Sequence, residues 1–133
     1  MISVVLGTNI LVSSLLAPGP PAAIVDLIAN GRIIPIYNDL ILQEYSDVLS
    51  REKFGFRSSQ IIHLIDSITK AGLVFKRQSP SKIKMADDDD RVFYDTAAGA
   101  KAYLVTGKMK HFPGQSFVIT PAKFLTMFTQ KEH

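Results

Sequence analysis

The strongest constraint on the fold is a short run of mostly β-branched residues, 2–6, that stops abruptly at Gly7-Thr8-Asn9. A run of this length that is apolar at almost every position is typical of a strand covered on both faces, as at the centre of a parallel sheet. Parallel strands need long crossover connections, and these are usually helices. The run therefore predicts an α/β fold organised around this first strand.

Helical and strand-like patterns alternate along the rest of the chain. Helices are predicted at 22–29, at 38–51 with Asn38 as N-cap, from Ser58 or Ser59 as N-cap, after the Asp run at 87–90, and from Pro121 onward. Further strands are predicted at 33–37, 73–75, 102–106 and 117–119. The alternation predicts a parallel sheet of about five strands, with right-handed crossovers and helices on both faces.

Length and composition bound the class of protein. A chain of 133 residues with 47% apolar and 20% charged residues is expected to fold as one ordered domain over 1–133. The absence of cysteine excludes disulfides and thiolate metal sites, and it is compatible with a reducing cytoplasm, where we expect the protein. The apolar stretch 2–16 is interrupted at Gly7-Thr8-Asn9 and lacks a basic leader, so we expect neither a membrane span nor a signal peptide.

Charge is distributed unevenly along the chain. Four of the twelve acidic residues are consecutive, at 87–90, whereas the fifteen Lys and Arg residues are spread over the rest. An Asp run before a helix is most often a solvated cap favoured by the helix dipole. The net charge of +3 would help to attract a polyanion, but many basic domains bind none. Charge alone therefore leaves the function open.

Two polar segments are expected to meet at one edge of the sheet. Gly7-Thr8-Asn9 follows the first strand, and Thr106-Gly107-Lys108 follows the fourth. Ligands of open parallel sheets bind beyond the carboxyl ends of the strands, so this edge is the expected site. The second segment is not a phosphate-binding P-loop, because Ala102 and Met109 stand where that motif needs Gly and Ser or Thr.

Several blocks of sequence share a further pattern. They are Val-Val-Leu-Gly-Thr-Asn at 4–9, Leu-Gln-Glu-Tyr at 42–45, Asp-Asp-Asp-Asp-Arg-Val-Phe-Tyr-Asp at 87–95, a stretch at 102–113 containing Thr-Gly-Lys and His-Phe-Pro, and Ile-Thr-Pro-Ala-Lys-Phe-Leu at 119–125. Each block is weakly specific alone, but together, in order and spacing, they resemble the PIN-domain family. Within it they resemble the toxin branch of toxin–antitoxin systems. The resemblance implies a three-layer α/β sandwich.

The resemblance also implies a chemistry for the acidic residues. Family members hydrolyse RNA with Mg²⁺ or Mn²⁺, ions that take oxygen ligands from carboxylates. Carried over by position, Glu44 and Asp90 are expected to be metal ligands and catalytic residues. Asp95 is a weaker catalytic candidate, because five residues after Asp90 it points to a different side of an ideal helix. Asp87, Asp88 and Asp89 are expected to cap the helix or face solvent.

The same resemblance extends to neighbouring residues and to partners. Thr8, Asn9 and Thr106 either satisfy the backbone of turns or orient ligands and phosphate as a second layer around the site. RNA and an antitoxin protein are the implied partners, and a homodimer is a further possibility. These are properties of the family and do not follow from the composition of this chain.

Two positions depart from the family pattern. Gly7 stands where the family has its first Asp, and Lys108 stands where it has Asp or Asn. Glycine supplies no ligand, and an ammonium group would repel a divalent ion while pairing with Glu44 or Asp90. We expect Gly7, Glu44, Asp90 and Lys108 to converge at one edge of the sheet. The sequence therefore leaves two functions open: an endoribonuclease toxin with an impaired site, or a non-catalytic module that binds RNA or a protein. It also leaves open whether the two departures are natural or introduced.

The remaining basic residues have mainly structural interpretations. His63, His111 and His133 do not show the spacing of zinc ligands, and structural roles are favoured for them. Four cations before the Asp run could line a path for RNA, although a solvated loop is at least as consistent with them: Lys76, Arg77, Lys82 and Lys84.

Overall fold

The computed structural model describes residues 1–76 and 79–132, so the interpretations of Arg77 and His133 lie outside the described residues. The strands are β1 (Ser3–Leu6), β2 (Ile34–Tyr37), β3 (Leu73–Val74), β4 (Tyr103–Val105) and β5 (Val118–Ile119). The helices are α1 (Thr8–Leu16), α2 (Pro20–Ala29), α3 (Asp39–Leu49), α4 (Ser58–Ala71), α5 (Arg91–Ala100) and α6 (Pro121–Glu132). Three 3₁₀ turns lie at Glu52–Phe54, Asp88–Asp90 and Met109–His111.

The strands form one parallel sheet in the order β3-β2-β1-β4-β5. The first strand is central, with β2 on one side and β4 on the other. Its consecutive residues Val4, Val5 and Leu6 are at most 1% exposed. Because successive side chains of a strand point to opposite faces, helices must cover both faces of the sheet. The five-stranded, three-layer α/β fold expected from the sequence is confirmed.

The predicted ends of the elements differ from the observed ends by one or two residues in most cases. The Asn38 side chain caps α3 as expected, because its Oδ1 accepts a hydrogen bond from the Ile41 amide at 3.1 Å. The N-cap predicted at Ser58 or Ser59 is wrong. The helix begins at Ser58, and the preceding residue Arg57 is the cap, its amide bonded to the Gln60 side chain at 2.9 Å.

One helix was not predicted from the sequence. Gly7-Thr8-Asn9 was expected to be only a turn, but Thr8 is already the first residue of α1. Gly7 precedes the helix as N-cap, and no side chain caps it. No helix in the part of the chain that the structure describes is by itself long and apolar enough to cross a membrane; α1 and α2 pass that test only as a pair bent by 100°.

Candidate active site

A cleft of about 340 Å³ lies beyond the carboxyl ends of β1 and β4. β1 is flanked by β2 on one side and β4 on the other, so the cleft lies where the order of the sheet reverses. The structure brings together in its walls every residue predicted for the site except Asp95: Gly7, Thr8, Asn9, Glu44, Asp90, Thr106 and Lys108.

Asp95 faces a different region of the molecule. Its carboxylate accepts a hydrogen bond from the Ser81 amide at 3.0 Å. It lines a separate pocket of about 380 Å³, together with Arg91 and Phe75. The contacts of Asp95 are therefore those of a residue that holds the connection before the Asp run against α5.

Glu44 is held in the cleft by its neighbour Tyr45. Tyr45 is fully buried, and its hydroxyl donates a hydrogen bond to the carbonyl oxygen of Leu6 at 2.6 Å. Leu6 ends β1 and directly precedes Gly7. The bond fixes α3 against the carboxyl end of the central strand, and this sets the position of Glu44 over the cleft.

The electrostatic surroundings of Glu44 favour its protonated form. Partial burial raises the pKa of its carboxyl group, and the negative charge of Asp89 raises it further. The Arg51 guanidinium acts in the opposite direction and lowers this pKa. The carboxyl group therefore lies among other acidic groups, with one cation near enough to oppose them.

Asp90 ends the 3₁₀ turn that leads into α5. The Asp87 carboxylate caps that turn by accepting from the Asp89 amide at 3.0 Å, as the Asp run predicted. Asp90 itself contacts His111, with 3.1 Å between the carboxylate Oδ2 and the imidazole Nδ1. Burial raises the pKa of Asp90 and Asp87 adds to the rise, whereas the hydrogen bond from His111 and the charge of Lys108 lower it.

Lys108 acts on the cleft at a distance. Its charge lowers the pKa of Asp90 but is not among the influences on Glu44. No ion pair under 4 Å joins it to either carboxylate within the described residues, so the close pairing expected from the sequence is not seen. Its amide donates to the Thr106 hydroxyl at 3.0 Å, which gives Thr106 the turn-forming role that was one of its two interpretations.

The Asn9 side chain occupies the space beside Gly7. A Cβ placed on Gly7 would lie 2.8 Å from the Asn9 Oδ1, and one placed on Gly107 would lie 2.8 Å from the Asn9 Nδ2. The Gly7 backbone, at φ −62° and ψ 148°, is open to any residue. A Cβ at position 7 therefore fits once the terminal amide of Asn9 rotates away.

The donor set does not complete a metal site. Glu44 and Asp90 both line the cleft, and the buried Thr8 hydroxyl has no hydrogen-bond partner among the residues described. However, no group of three or more His, Cys, Asp or Glu residues able to hold a metal ion occurs within 1–76 and 79–132. Asp87 and Asp89 also line the cleft, but together with Glu44 and Asp90 they do not form such a group.

Several cleft residues were missed from the sequence. His111 was given a structural role, but it contacts Asp90 from across the cleft. The turn after α3 contributes a second wall that carries Arg51, Lys53 and Phe54. One feature of the sequence could have indicated His111. It lies five residues after Thr106, on the connection that leaves the carboxyl end of β4. By contrast, Lys76, Lys82 and Lys84 are exposed and line no part of the cleft.

Comparison with known proteins gives two matches. A family model described as PIN domain matches residues 3–110. The chain is also 28% identical over 110 residues to the uncharacterized protein MJ1680 of Methanocaldococcus jannaschii, an alignment that spans 80% of this chain and 70% of that protein. No solved structure is significantly similar to the chain.

Proposed function

We propose, from the premise that the chain belongs to the PIN domain family, that its cleft is an endoribonuclease site of the toxin type whose activity is reduced by Gly7 and Lys108. The observation that carries the proposal is the convergence of Glu44 and Asp90 with these two positions in one cleft. Four residues spread over a hundred positions meet where a parallel sheet of this topology binds its ligands. RNA as substrate, an antitoxin partner and a homodimer are parts of this proposal and rest on the family resemblance. A cytoplasmic location is also part of it and rests on the absence of cysteine.

The residues present can perform part of the work of such a site. Glu44 and Asp90 are the side chains that would hold Mg²⁺ or Mn²⁺, which when bound supplies an activated water and stabilises the leaving oxygen. Lys108 and Arg51 line the same cleft, and their positive charge offsets the repulsion between the carboxylates and a phosphate. Because the anionic donors are incomplete, weak metal binding and little hydrolysis are expected of this chain.

The test is to restore the two departures from the family pattern. Gly7→Asp adds an anionic donor once Asn9 rotates, and Lys108→Asn removes the cation that acts on Asp90. Neither change alone is expected to suffice, because the first leaves Lys108 as a partner for the new carboxylate and the second leaves too few donors. We expect the double variant to cleave single-stranded RNA with Mg²⁺ or Mn²⁺ at a rate well above the sum of the single variants.

The assay compares the four forms on a mixed RNA substrate with each metal and with chelator. Addition of Glu44→Gln to the double variant is the matched control, and it should abolish cleavage without unfolding the protein. Strong chelator-sensitive cleavage by the unmodified chain would show that Gly7 and Lys108 do not impair the site. A double variant that folds and binds Mn²⁺ by calorimetry but cuts no RNA would exclude the enzyme.

The cations in the cleft favour one alternative, a non-catalytic module that binds RNA. Arg51, Lys53 and Lys108 line the cleft beside the carboxylates, a mixture that suits a phosphate backbone better than it suits a divalent ion. The same assay separates the two functions. Binding of RNA by all four forms, with cleavage by none, would establish the alternative.

A further inference from the structure

We propose that Phe54 is a stacking platform for an unpaired base of single-stranded RNA that lies along the cleft. The inference rests on the proposed function only in taking RNA as the ligand, and it holds whether or not the RNA is cleaved. It assigns a substrate contact to a wall of the cleft that lies outside the carboxylate site.

The position of the Phe54 ring departs from that of an ordinary core aromatic. Phe54 ends the 3₁₀ turn Glu52–Phe54 and lines the polar cleft. It is partly buried, but it does not take part in the apolar core formed by the described residues. An aromatic ring that lines a charged cleft outside the core is available to a flat apolar ligand.

Phe56 supports the ring from behind. The two ring centroids are 5.4 Å apart, and the ring planes differ by only 11°. Phe56 packs against the core, so it anchors the stack to the rigid part of the domain. Between them Gly55 adopts the left-handed conformation, with φ at 65°, which reverses the chain and lets both rings lie on the same side. The platform is therefore held in place before any ligand arrives.

The charges around the ring match a nucleic acid strand. Arg51 and Lys53 line the cleft on the same turn. The Lys53 ammonium lies over the Phe54 ring, 5.1 Å from its centroid, and a base that stacks on that face would displace it. Arg51 also lowers the pKa of Glu44, so its positive charge lies near that carboxylate. Phosphates held by Arg51 and Lys53 would place a base at Phe54 while the backbone continues towards Glu44. Aromatic rings interleaved with cations in this way are typical of surfaces that bind unpaired bases.

The experiment measures RNA binding by the full chain in chelator, so that no cleavage intervenes. The probe is a 12-nucleotide single-stranded RNA that carries fluorescein at one end and 2-aminopurine within the strand. We expect Phe54→Leu to weaken binding by about tenfold or more, the loss typical of one stacked base, and to abolish quenching of 2-aminopurine. Phe54→Tyr keeps the ring and should bind within about twofold of the unmodified chain.

Three controls fix the interpretation. Ile62→Ala changes an exposed apolar residue on α4 and should leave binding unchanged. An RNA duplex of the same sequence should bind more weakly than the single strand, because its bases are already stacked on each other. Thermal unfolding of each variant shows that the fold is retained.

Equal binding and equal quenching by the unmodified chain and Phe54→Leu would overturn the proposal. So would the absence of measurable RNA binding, or a Phe54 dependence seen for an acidic peptide but not for RNA. Failure of the proposed nuclease function is distinguishable from these outcomes. In that case the Gly7→Asp, Lys108→Asn double variant cuts no RNA while binding still depends on the ring at position 54.

Discussion

The His111 imidazole Nδ1 lies 3.1 Å from the Asp90 carboxylate Oδ2, and this contact joins the two chain segments that face each other across the cleft. Asp90 ends the turn before α5, and His111 ends the turn after β4. Residues 21 positions apart thus form one unit. The pKa of Asp90 is thus lowered by a histidine for which the sequence favoured only a structural role.

His111→Phe is expected to raise the pKa of Asp90. The hydrogen bond and the charge of His111 both lower that pKa, so their removal leaves burial and Asp87 to raise it unopposed. His111→Gln is the matched control, because its amide can still donate to the carboxylate. Titration of the Asp90 carboxyl carbon by NMR, assigned with Asp90→Asn, measures the effect. A lower pKa in His111→Phe would contradict the assigned contact.

Glu44→Gln is expected to stabilise the protein at neutral pH. Burial and Asp89 raise the pKa of Glu44 in the folded state, so ionisation of this group costs folding free energy above that pKa. The cost falls as the pH is lowered through the folded pKa, because the group then binds its proton in the folded protein. The difference in melting temperature between Glu44→Gln and the unmodified chain should therefore shrink in acid.

Glu52→Gln on the exposed turn is the matched control for the loss of one negative charge. A stabilisation by Glu44→Gln that stays constant from pH 7 into acid would mean that something other than ionisation causes it.

Tyr45→Phe is expected to destabilise the fold by about 1–2 kcal/mol, because it leaves the buried Leu6 carbonyl without the hydroxyl that bonds it at 2.6 Å. Urea unfolding followed by circular dichroism gives the value. The comparison is Tyr37→Phe, whose hydroxyl makes a longer bond of 3.4 Å to the Thr69 carbonyl and should matter less. Equal losses of unfolding free energy in the two variants would show that the Tyr45 hydroxyl does not stabilise the fold more than the Tyr37 hydroxyl does.

Arg91→Lys is expected to loosen the connection before the Asp run. One terminal nitrogen of Arg91 donates to the carbonyl oxygens of Ser81 at 2.8 Å and Ile83 at 2.7 Å, while its Nε pairs with Asp88. A lysine has a single donor group at its tip and cannot make all of these contacts in one geometry. Hydrogen exchange of residues 79–86 should accelerate, whereas that of the central strand should not.

Asp95→Ala removes the acceptor of the Ser81 amide and should accelerate exchange in the same segment. Asp95→Asn keeps a side-chain oxygen and should resemble the unmodified chain. Unchanged protection in Asp95→Ala would remove the structural role assigned to this carboxylate.

Gly72→Ala is expected to destabilise the protein by about 1–3 kcal/mol through overpacking. A Cβ at this position would press against the backbone carbonyl oxygens of Pro35 and Ile68, 2.7 Å from the second. These atoms belong to β2 and α4 and cannot move without the elements that carry them. Gly114→Ala, where a Cβ meets nothing within 4 Å, is the control for the intrinsic effect of the substitution. Equal melting temperatures would contradict the crowding.

The sheet was predictable because its strands are short apolar runs bounded by turn residues. In the central strand β1, burial on both faces leaves no alternation to misread. α1 was not predictable in the same way. Its apolar residues surround the helix almost completely, with Ile10 and Leu11 buried and Val12 and Leu15 packed on the core. No side chain marks its start, since Gly7 is the cap. Without a polar face or a side-chain cap, the sequence of a short helix such as α1 shows no helical pattern that could predict it.

The candidate site was partly predictable for a related reason. Glu44 and Asp90 stand in blocks whose order and spacing resemble those of the PIN-domain family. Such blocks can be recognised from the sequence without knowledge of the tertiary structure. His111 and Phe54 lie on short 3₁₀ turns, which carry no periodic signal. Their roles arise from contacts across the cleft, which depend on how the connections after β4 and α3 turn back over the sheet. The path of these two connections cannot be predicted from the local sequence.

The position of β1 between β2 and β4 also fixes when the cleft can exist during synthesis. The amino-terminal strand must wait for Tyr103–Val105 before its second edge is paired, and the cleft also needs His111 and Phe112. A ribosome therefore releases more than a hundred residues before a complete site can assemble, while the first strand waits with one edge open.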